Sequence, residues 1–230
     1  MGSFYSLYSS YLYKAKYTAL MNINPKRNTT TPVIPLPYRH AATMEIFKDK
    51  TDTEVWSAFD AGDEMAFNYI YRIHAESLFG FGSQISKDQG MVQDCIQNIF
   101  IGLRKKRGSL SEVKSIKSYL FKCLQRDLIR ELNKKGGAKL TTEGLDERFF
   151  QIEVSFETKL IQQERETEQK AMIQEALNQL TARQRQAVLL LYEEGMSYKE
   201  IAEVMDLNEV KSARKIIYRA LDSLKSLLKK

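Results

Sequence analysis

The sequence predicts an all-α protein made of two small helical domains joined by a flexible linker. Its 230 residues are 43% hydrophobic, which is enough for one or two cores. Apolar residues recur at helical spacing over most of residues 54–135, and residues 181–230 contain two patterns that mark helix starts. A mixed, acidic stretch with few clustered apolar residues separates these two regions.

These features divide the chain into four parts. Residues 1–43 contain all four prolines and no helical period, so this arm is expected to be disordered. Residues 44–136 are predicted to form the first domain, 137–165 the linker and 166–230 the second domain.

The first domain is predicted to contain three helical stretches. The first runs from about 54 to 81 and is broken at Gly62, and the second runs from about 89 to 105. After a basic loop, a long helix covers about 116–135, where Gly136 and Gly137 end it.

The second domain has the pattern of a helix-turn-helix. Thr181 with Gln184, and Ser197 with Glu200, each match the capping box, in which a hydroxyl and a later polar side chain satisfy exposed backbone N–H groups. Gly195 is predicted to end the first of these helices.

The final helix is expected to follow a turn at Asp206 and Leu207, with Asn208 as its cap. Its predicted inner face comprises Val210, Ala213, Ile217, Leu221 and Leu224, and its outer face comprises Lys211, Ser212, Arg214, Lys215 and Arg219. A major groove about 12 Å wide admits one such helix, so this outer face is a candidate DNA contact.

Charge is distributed in blocks along the chain. Residues 101–139 carry twelve Lys and Arg against three Asp and Glu, a net +9, and residues 208–230 carry seven against two, a net +5. Residues 140–207 between them carry seven against fourteen, a net −7. Basic blocks are compatible with plain solvated helix faces, but two in one chain favour phosphate contact at two places.

The long basic helix interleaves cations with aromatic residues, which suits unpaired bases because stacking is worth ~1–3 kcal/mol per base. Tyr119 is the better stacking candidate. The alternative is that Phe121, Leu124, Leu128 and Leu132 are ordinary core, and for Phe121 we favour that interpretation.

Several classes of protein are disfavoured. The two cysteines, Cys95 and Cys123, have no CxxC spacing and no local histidine, so neither a disulfide framework nor a zinc site is encoded. No stretch is long and apolar enough to cross a membrane or act as a signal peptide, and we expect a cytoplasmic location. Enzyme motifs are absent, and His74 is expected to be structural or solvated rather than catalytic. We expect no cofactor.

The order and spacing of four segments resemble the extracytoplasmic-function (ECF) group of the sigma-70 family. They are "AFNYIYRIHAESLFGF", "DCIQNIFIGL", "SYLFKCLQRDLIRELNKK" and "LTARQRQAVLLLYEEGMSYKEIAEVMDL…VKSARKIIYRAL". The resemblance covers about residues 54–136 and 165–227. It implies an all-helical protein with two domains, regions 2 and 4, joined by a flexible linker.

The family's region 2 binds core RNA polymerase through the pattern D-x-x-Q-[DE]-x-F. The resemblance therefore implies polymerase binding by Asp94, Gln97, Asn98 and Phe100, with Asn98 replacing the usual acid.

In the same way, the long basic helix resembles the element that captures the melted −10 strand of a promoter. The implied contacts are Tyr119, Lys122, Gln125, Arg126, Arg130 and Lys134. Arg126 and Arg130 replace an amide and a carboxylate of the family pattern, which favours phosphate affinity over inherited base preference. The preceding loop, about 108–117, resembles one that accepts a flipped base.

Region 4 of the family recognises the −35 element. The resemblance implies contacts by Ser197, Tyr198, Lys211, Ser212, Arg214, Lys215 and Arg219. The turn before the final helix is one residue longer than the common family form, so base contact is implied but not its register.

The function implied is that of a sigma factor that directs core RNA polymerase to promoters and has no catalytic activity. Its expected partners are core polymerase, promoter DNA and an anti-sigma protein. Two alternatives stay open on the residues: a stand-alone helix-turn-helix regulator that does not dock on polymerase, and a helical adaptor with protein contacts alone.

Overall fold

The computed structural model describes residues 45–136 and 172–228, and these ranges are helical without any strand. The first range holds α1 (Asp52–Asp60), α2 (Glu64–Ile85), α3 (Gln89–Lys105) and α4 (Ile116–Gly136). The second holds a helical segment at 172–178, followed by α5 (Ala182–Tyr192), α6 (Tyr198–Val204) and α7 (Val210–Leu227). The predicted fold class, all-α with two small helical domains, is confirmed. The predicted arm, 1–43, and linker, 137–165, lie outside the described residues.

The helix starts follow the local sequence closely. Both predicted capping boxes are present. The hydroxyls of Thr181 and Ser197 accept a hydrogen bond from the backbone N–H of the third helical residue, and the side chain of that residue accepts one from the backbone N–H of the cap. Thr51 forms a third capping box with Glu54 at the start of α1. Each cap satisfies backbone groups that an exposed helix end leaves unpaired.

Two of the three glycines with a positive φ among the described residues stand at the predicted helix breaks. Gly62, with φ of 108°, separates α1 from α2, and Gly195, with φ of 63°, follows α5. Residues with a Cβ atom rarely adopt such φ values. Both predicted breaks therefore depend on the conformational freedom of glycine.

The start of the final helix differs from the prediction. Glu209, not Asn208, is the N-cap residue of α7, and it makes no side-chain capping bond. Val210 is 40% exposed instead of facing inward. The buried face starts one turn later and consists of Ala213, Ile217 and Ala220, whose spacing of three to four residues matches the helical period.

The core of the first domain is centred on α4. Its residues Ile116, Leu120, Phe121, Leu124 and Leu128 are all at most 2% exposed and recur on one helix face. This face packs on α2 and α3, and more lightly on α1. The core interpretation of Phe121, Leu124 and Leu128 is therefore correct.

In the second domain, α5, α6 and α7 pack on one another around a smaller core. Helix α6 also packs against α4 of the first domain. The buried apolar residues of the two domains consequently form one continuous cluster.

Gly82 marks the closest approach of three helices. A Cβ atom at this position of α2 would meet Val92 Cγ1 of α3 at 2.6 Å, and Leu124 and Leu128 of α4 at 3.4 Å. Gly102 in α3 is also helical, but a Cβ there meets nothing within 4 Å.

We therefore expect opposite effects from two alanine substitutions. Gly82→Ala should lower the free energy of unfolding by ~1–3 kcal/mol, because the added methyl group overpacks the core. Gly102→Ala should raise it by about 0.5–1 kcal/mol, since alanine favours the helix and no neighbour has to move. Urea denaturation followed by circular dichroism measures both values, and equal effects of the two substitutions would contradict this packing.

His74 lies on the inner side of α2 with 9% of its surface exposed. Burial, together with the positive charge of Lys117, lowers the pKa of His74 to about 4. An exposed histidine has a pKa near 6.5, so between these values the unfolded chain binds a proton that the folded chain does not.

This difference predicts a loss of stability as the pH falls from about 6.5 towards 4. Between pH 7 and pH 5, His74 should account for a decrease of about 2 kcal/mol in the free energy of unfolding. His74→Leu should remove this part of the pH dependence. Urea denaturation at the two pH values tests it, and an unchanged pH dependence in the variant would show that His74 is not the responsible group.

Candidate functional site

The loop between α3 and α4 is held in place by α1. Asp60 accepts hydrogen bonds from the backbone N–H groups of Gly108 and Leu110, at 2.7 and 3.2 Å. The indole N–H of Trp56 donates to the carbonyl of Ser111 at 3.0 Å. The carboxylate of Asp60 and the indole of Trp56 thus fix the loop that resembles a base-accepting element. The sequence analysis did not identify either residue.

The predicted polymerase-binding residues of α3 form a polar patch. Asp94, Gln97 and Asn98 are exposed at helical spacing on one face, beside Ile101, which is 49% exposed. Polar and apolar groups are therefore available together on this surface, as a protein interface requires.

Phe100, the fourth predicted residue, is buried at 4% exposure and is not part of that surface. Its ring lies edge-on to Tyr71, with 4.9 Å between ring centroids, and Tyr71 is 45% exposed. In this structure the buried ring of Phe100 packs against Tyr71, and Tyr71 is the aromatic residue accessible from solvent. The sequence pattern did not single out Tyr71, because it belongs to another helix.

Ion pairs line the basic face of α4, although Arg126, Arg130 and Lys134 remain mostly exposed. Lys122 and Arg126 both reach one carboxylate oxygen of Asp206, at 2.7 and 3.0 Å. Further along, Arg130 pairs with Asp127 at 3.0 Å and Lys134 with Glu131 at 2.8 Å. The first two pairs join the two domains, whereas the last two lie within α4.

Two other predicted −10 residues are less accessible than the sequence suggested. Gln125 is 0% exposed, and its side-chain carbonyl accepts from Gln186 Nε2 of α5 at 2.8 Å. Tyr119 is half-buried, with its ring edge-on to Trp56 at 5.3 Å. Burial, with a contribution from Cys123, raises the pKa of Tyr119 to about 12. The amide of Gln125 is therefore inaccessible in this conformation, whereas the ring of Tyr119 is partly accessible.

On α7 the predicted outer face is open. Lys211, Arg214, Lys215 and Arg219 are exposed, and Ser212 is half-buried. Within the described ranges, no carboxylate pairs with any of these four cations. The guanidinium of Arg214 lies over the ring of Tyr198 at 5.2 Å, an arrangement that favours one placement of this cation.

The remaining predicted −35 residue, Ser197, is engaged locally. Its hydroxyl caps α6 and donates to Glu200 Oε2 at 2.7 Å. Tyr198, the first residue of α6, is half-buried, and the face of its ring contacts the guanidinium of Arg214.

Contacts between the domains run along α4. Lys117 pairs with the carboxylate of Glu194 at 3.0 Å and also donates to its carbonyl. Ser115 Oγ donates to Glu200 Oε1 at 2.7 Å. Burial alone would raise the pKa of Glu200, but the hydrogen bonds from Ser115 and Ser197 hold it below its usual range.

Asp206 shows the same balance. Burial alone would raise its pKa, but the hydrogen bonds and charges of Lys122 and Arg126 keep it low, so this acid stays ionised at neutral pH. The sequence analysis missed these interdomain acids. The signal available was the alternation of charge, since the +9 block of residues 101–139 is followed by the −7 block that contains Asp206.

No group of acidic, histidine or cysteine side chains within residues 45–136 and 172–228 is arranged to hold a metal ion. In the same ranges, no helix is long and apolar enough to span a membrane.

These observations define a helical protein with a helix-turn-helix, in which α7 offers exposed cations and α4 a second basic face lined by ion pairs. Comparison with known proteins agrees with this class. Residues 170–224 match the family model "Sigma-70, region 4". The curated protein "ECF RNA polymerase sigma factor SigM" of Bacillus subtilis (strain 168) is 23% identical over 163 residues, which cover 71% of this chain and 95% of that protein.

The comparison with solved structures gives matches that include two complexes. CnrH in complex with the cytosolic domain of CnrY has a TM-score of 0.50 at 19% identity, covering 77% of this chain and 97% of that one. The sigma factor RpoE in complex with the anti-sigma factor NepR, from Bartonella quintana, has a TM-score of 0.49 at 22% identity and covers 71% and 96%.

The family resemblance predicted from the sequence is confirmed. Residues 170–224 match region 4 of the sigma-70 family, and the chain is similar over most of its length to an ECF sigma factor.

Proposed function

We propose that this sigma factor binds core RNA polymerase through α3 and directs it to promoters with two DNA-contacting helices. Helix α7 would enter the −35 major groove, and α4 would hold the melted −10 strand. The observation that carries the proposal is the open cationic face of α7, whose four exposed cations lie on the second helix of a helix-turn-helix.

The placement of Arg214 supports base recognition by α7. Arg214 lies in the first half of the helix, the part that reaches base edges in helix-turn-helix proteins. Its stacking on Tyr198 limits the positions of a long side chain, so less conformational entropy is lost when it pairs with a base.

Polymerase docking is supported by the exposed patch of Asp94, Gln97 and Asn98. Ile101 and Tyr71 extend this patch with accessible apolar surface. The similar protein SigM is itself described as an RNA polymerase sigma factor. Like other sigma factors, the chain would contribute recognition and leave catalysis to the polymerase. An anti-sigma protein is a further proposed partner, since the group is commonly held by one.

The direct test is size-exclusion chromatography of the purified chain with bacterial core RNA polymerase at two salt concentrations. Co-elution at both is the expected result. Elution of the chain alone, together with a shift of duplex DNA by the chain alone, would contradict the proposal and favour a stand-alone regulator.

Charge reversal at Asp94 should separate docking from folding. Asp94→Arg is expected to abolish co-elution with core polymerase, because it places a cation in the centre of the proposed docking patch. Asp49→Arg makes the same charge change at an exposed site before α1 and should leave co-elution unchanged. Circular dichroism should match wild type for both variants, and retained binding by Asp94→Arg would place the docking surface elsewhere.

Arg214→Ala tests recognition by α7. If Arg214 pairs with a guanine, the substitution should weaken promoter binding by the holoenzyme by ~1–3 kcal/mol and relax selectivity at one −35 position. Lys225→Ala, in the last turn of the same helix, should cost little and change no preference. Competition binding with a set of single-base promoter variants measures both. A uniform loss over all variants would make Arg214 a phosphate contact instead.

A further inference from the structure

We infer that one face of α1 sets base preference at the −10 strand indirectly, by holding the α3–α4 loop, residues 106–115, in a single conformation. This inference rests on the proposed function, in which α4 holds the −10 strand. Asp52, Trp56 and Asp60 would act as positioning residues, and none of the three would contact the DNA itself.

These three side chains form a row along α1. They are four residues apart, so they lie on one face of the helix and span about 12 Å at 1.5 Å per residue. Asp60 and Trp56 hydrogen-bond to the loop backbone, and Asp52 accepts from the backbone N–H of Ile116 at 2.8 Å. Ile116 is the first residue of α4. The row on α1 therefore holds the chain from the beginning of the loop to the start of the next helix.

Trp56 also fixes the loop relative to α4. Its indole N–H donates to the carbonyl of Ser111, and its buried ring lies edge-on to Tyr119 of α4 at 5.3 Å between centroids. One buried side chain thus contacts both the loop and the helix that is proposed to hold the strand. A base near the start of α4 would meet the loop in one fixed position.

The loop presents polar side chains to solvent. Leu110 and Val113 are half-buried against the core, whereas Ser109, Ser111 and Glu112 are exposed. Hydroxyl and carboxylate groups hydrogen-bond to base edges, and they discriminate well between bases only when their positions are fixed. The two apolar residues and the row on α1 together fix those positions.

The cations around the loop have two different roles. Arg107 pairs with Glu64 of α2 at 2.7 Å and lies over the ring of Phe59, so it stabilises the first domain. Lys106 and Lys114 are exposed and pair with no carboxylate within residues 45–136 and 172–228. A lysine on a phosphate adds affinity without sequence information. Affinity and base preference are therefore assigned to different residues and can be changed separately.

Charge argues against direct DNA contact by the row on α1. Asp52 and Asp60 are acids, and their charges oppose the approach of a phosphate backbone. Removal of either charge should by itself strengthen DNA binding slightly. A loss of base preference after the same change would consequently act through the loop.

Asp60 offers a matched pair of variants. Asp60→Ala removes the acceptor for the N–H groups of Gly108 and Leu110, whereas Asp60→Asn keeps a side-chain oxygen that can accept from them. Both variants lose one negative charge, so their net charges are equal. Asp49→Ala, at an exposed position before α1, is the control for the same substitution away from the loop.

Each full-length variant would be combined with bacterial core RNA polymerase for run-off transcription from a barcoded promoter library randomised at the −35 and −10 elements. Sequencing the transcribed barcodes gives the base preference at every position. Asp60→Ala should reduce the preference within the −10 element roughly three- to tenfold, the scale of one net hydrogen bond, and leave every −35 preference unchanged. Asp60→Asn should retain most of the −10 preference, and Asp49→Ala should retain all of it.

Two further variants separate position from affinity. Trp56→Phe removes the indole N–H but keeps an aromatic ring, and it should reduce preference at the same −10 positions as Asp60→Ala. Lys114→Ala should lower transcription from all library members about equally, because it removes a proposed phosphate contact. Circular dichroism should show unchanged helix content for every variant.

Wild-type preference at −10 in both Asp60→Ala and Trp56→Phe would overturn the inference. A parallel loss at −10 and −35 would overturn it as well, because a general defect rather than the loop would then be responsible. Failure of the proposed function is distinguishable, since wild type itself would then not co-elute with core polymerase or would show no −10 preference.

Discussion

The structure depends on α4, a helix that makes contacts on two opposite faces. The apolar face of α4 closes the core of the first domain, where Leu120, Phe121, Leu124 and Leu128 are all fully buried. Its polar face contacts α5, α6 and the turn before α7. Because the apolar side fixes the position and rotation of α4, the placement of every cation on the other side follows from core packing.

This double use places the cations proposed to contact DNA on a rigid element. Long cationic side chains on a loop would lose more conformational freedom on binding than those on a helix whose backbone is already ordered. The neighbouring loop is fixed in a different way, through the carboxylate of Asp60 and the indole of Trp56. Helix and loop together form one pre-organised surface, and the second domain rests on part of it.

If both helices contact DNA as proposed, the tether between the domains also contributes to binding. Once one domain is bound, the tether raises the effective concentration of the other at its own site, provided that the geometry lets both engage. In the structure α6 packs on α4, so the two domains are in direct contact.

Local signals in the sequence were sufficient for most of the fold. The capping boxes at Thr181 and Ser197 fixed two helix starts, and Gly62 marked a break, since each depends on residues within a few positions. The prediction of Asn208 as the cap of α7 was wrong, because residue type alone does not decide which of two adjacent polar residues becomes the cap. Contacts between residues 61 to 85 positions apart, such as Gln125 with Gln186 and Ser115 with Glu200, leave no periodic trace. For the same reason Gln125 looked like a surface residue, while the open face of α7 followed directly from its helical spacing.

Trp56 is the single tryptophan of the chain, and its indole N–H donates to the carbonyl of Ser111 in the loop before α4. Its ring also touches Tyr119 of α4 edge-on. Indole emission responds to hydrogen bonding and to the polarity around the ring. The chain therefore carries an intrinsic fluorophore at the junction of loop and helix, with no other indole to obscure it. Any rearrangement of that junction on addition of a partner can be followed in real time on the unlabelled protein.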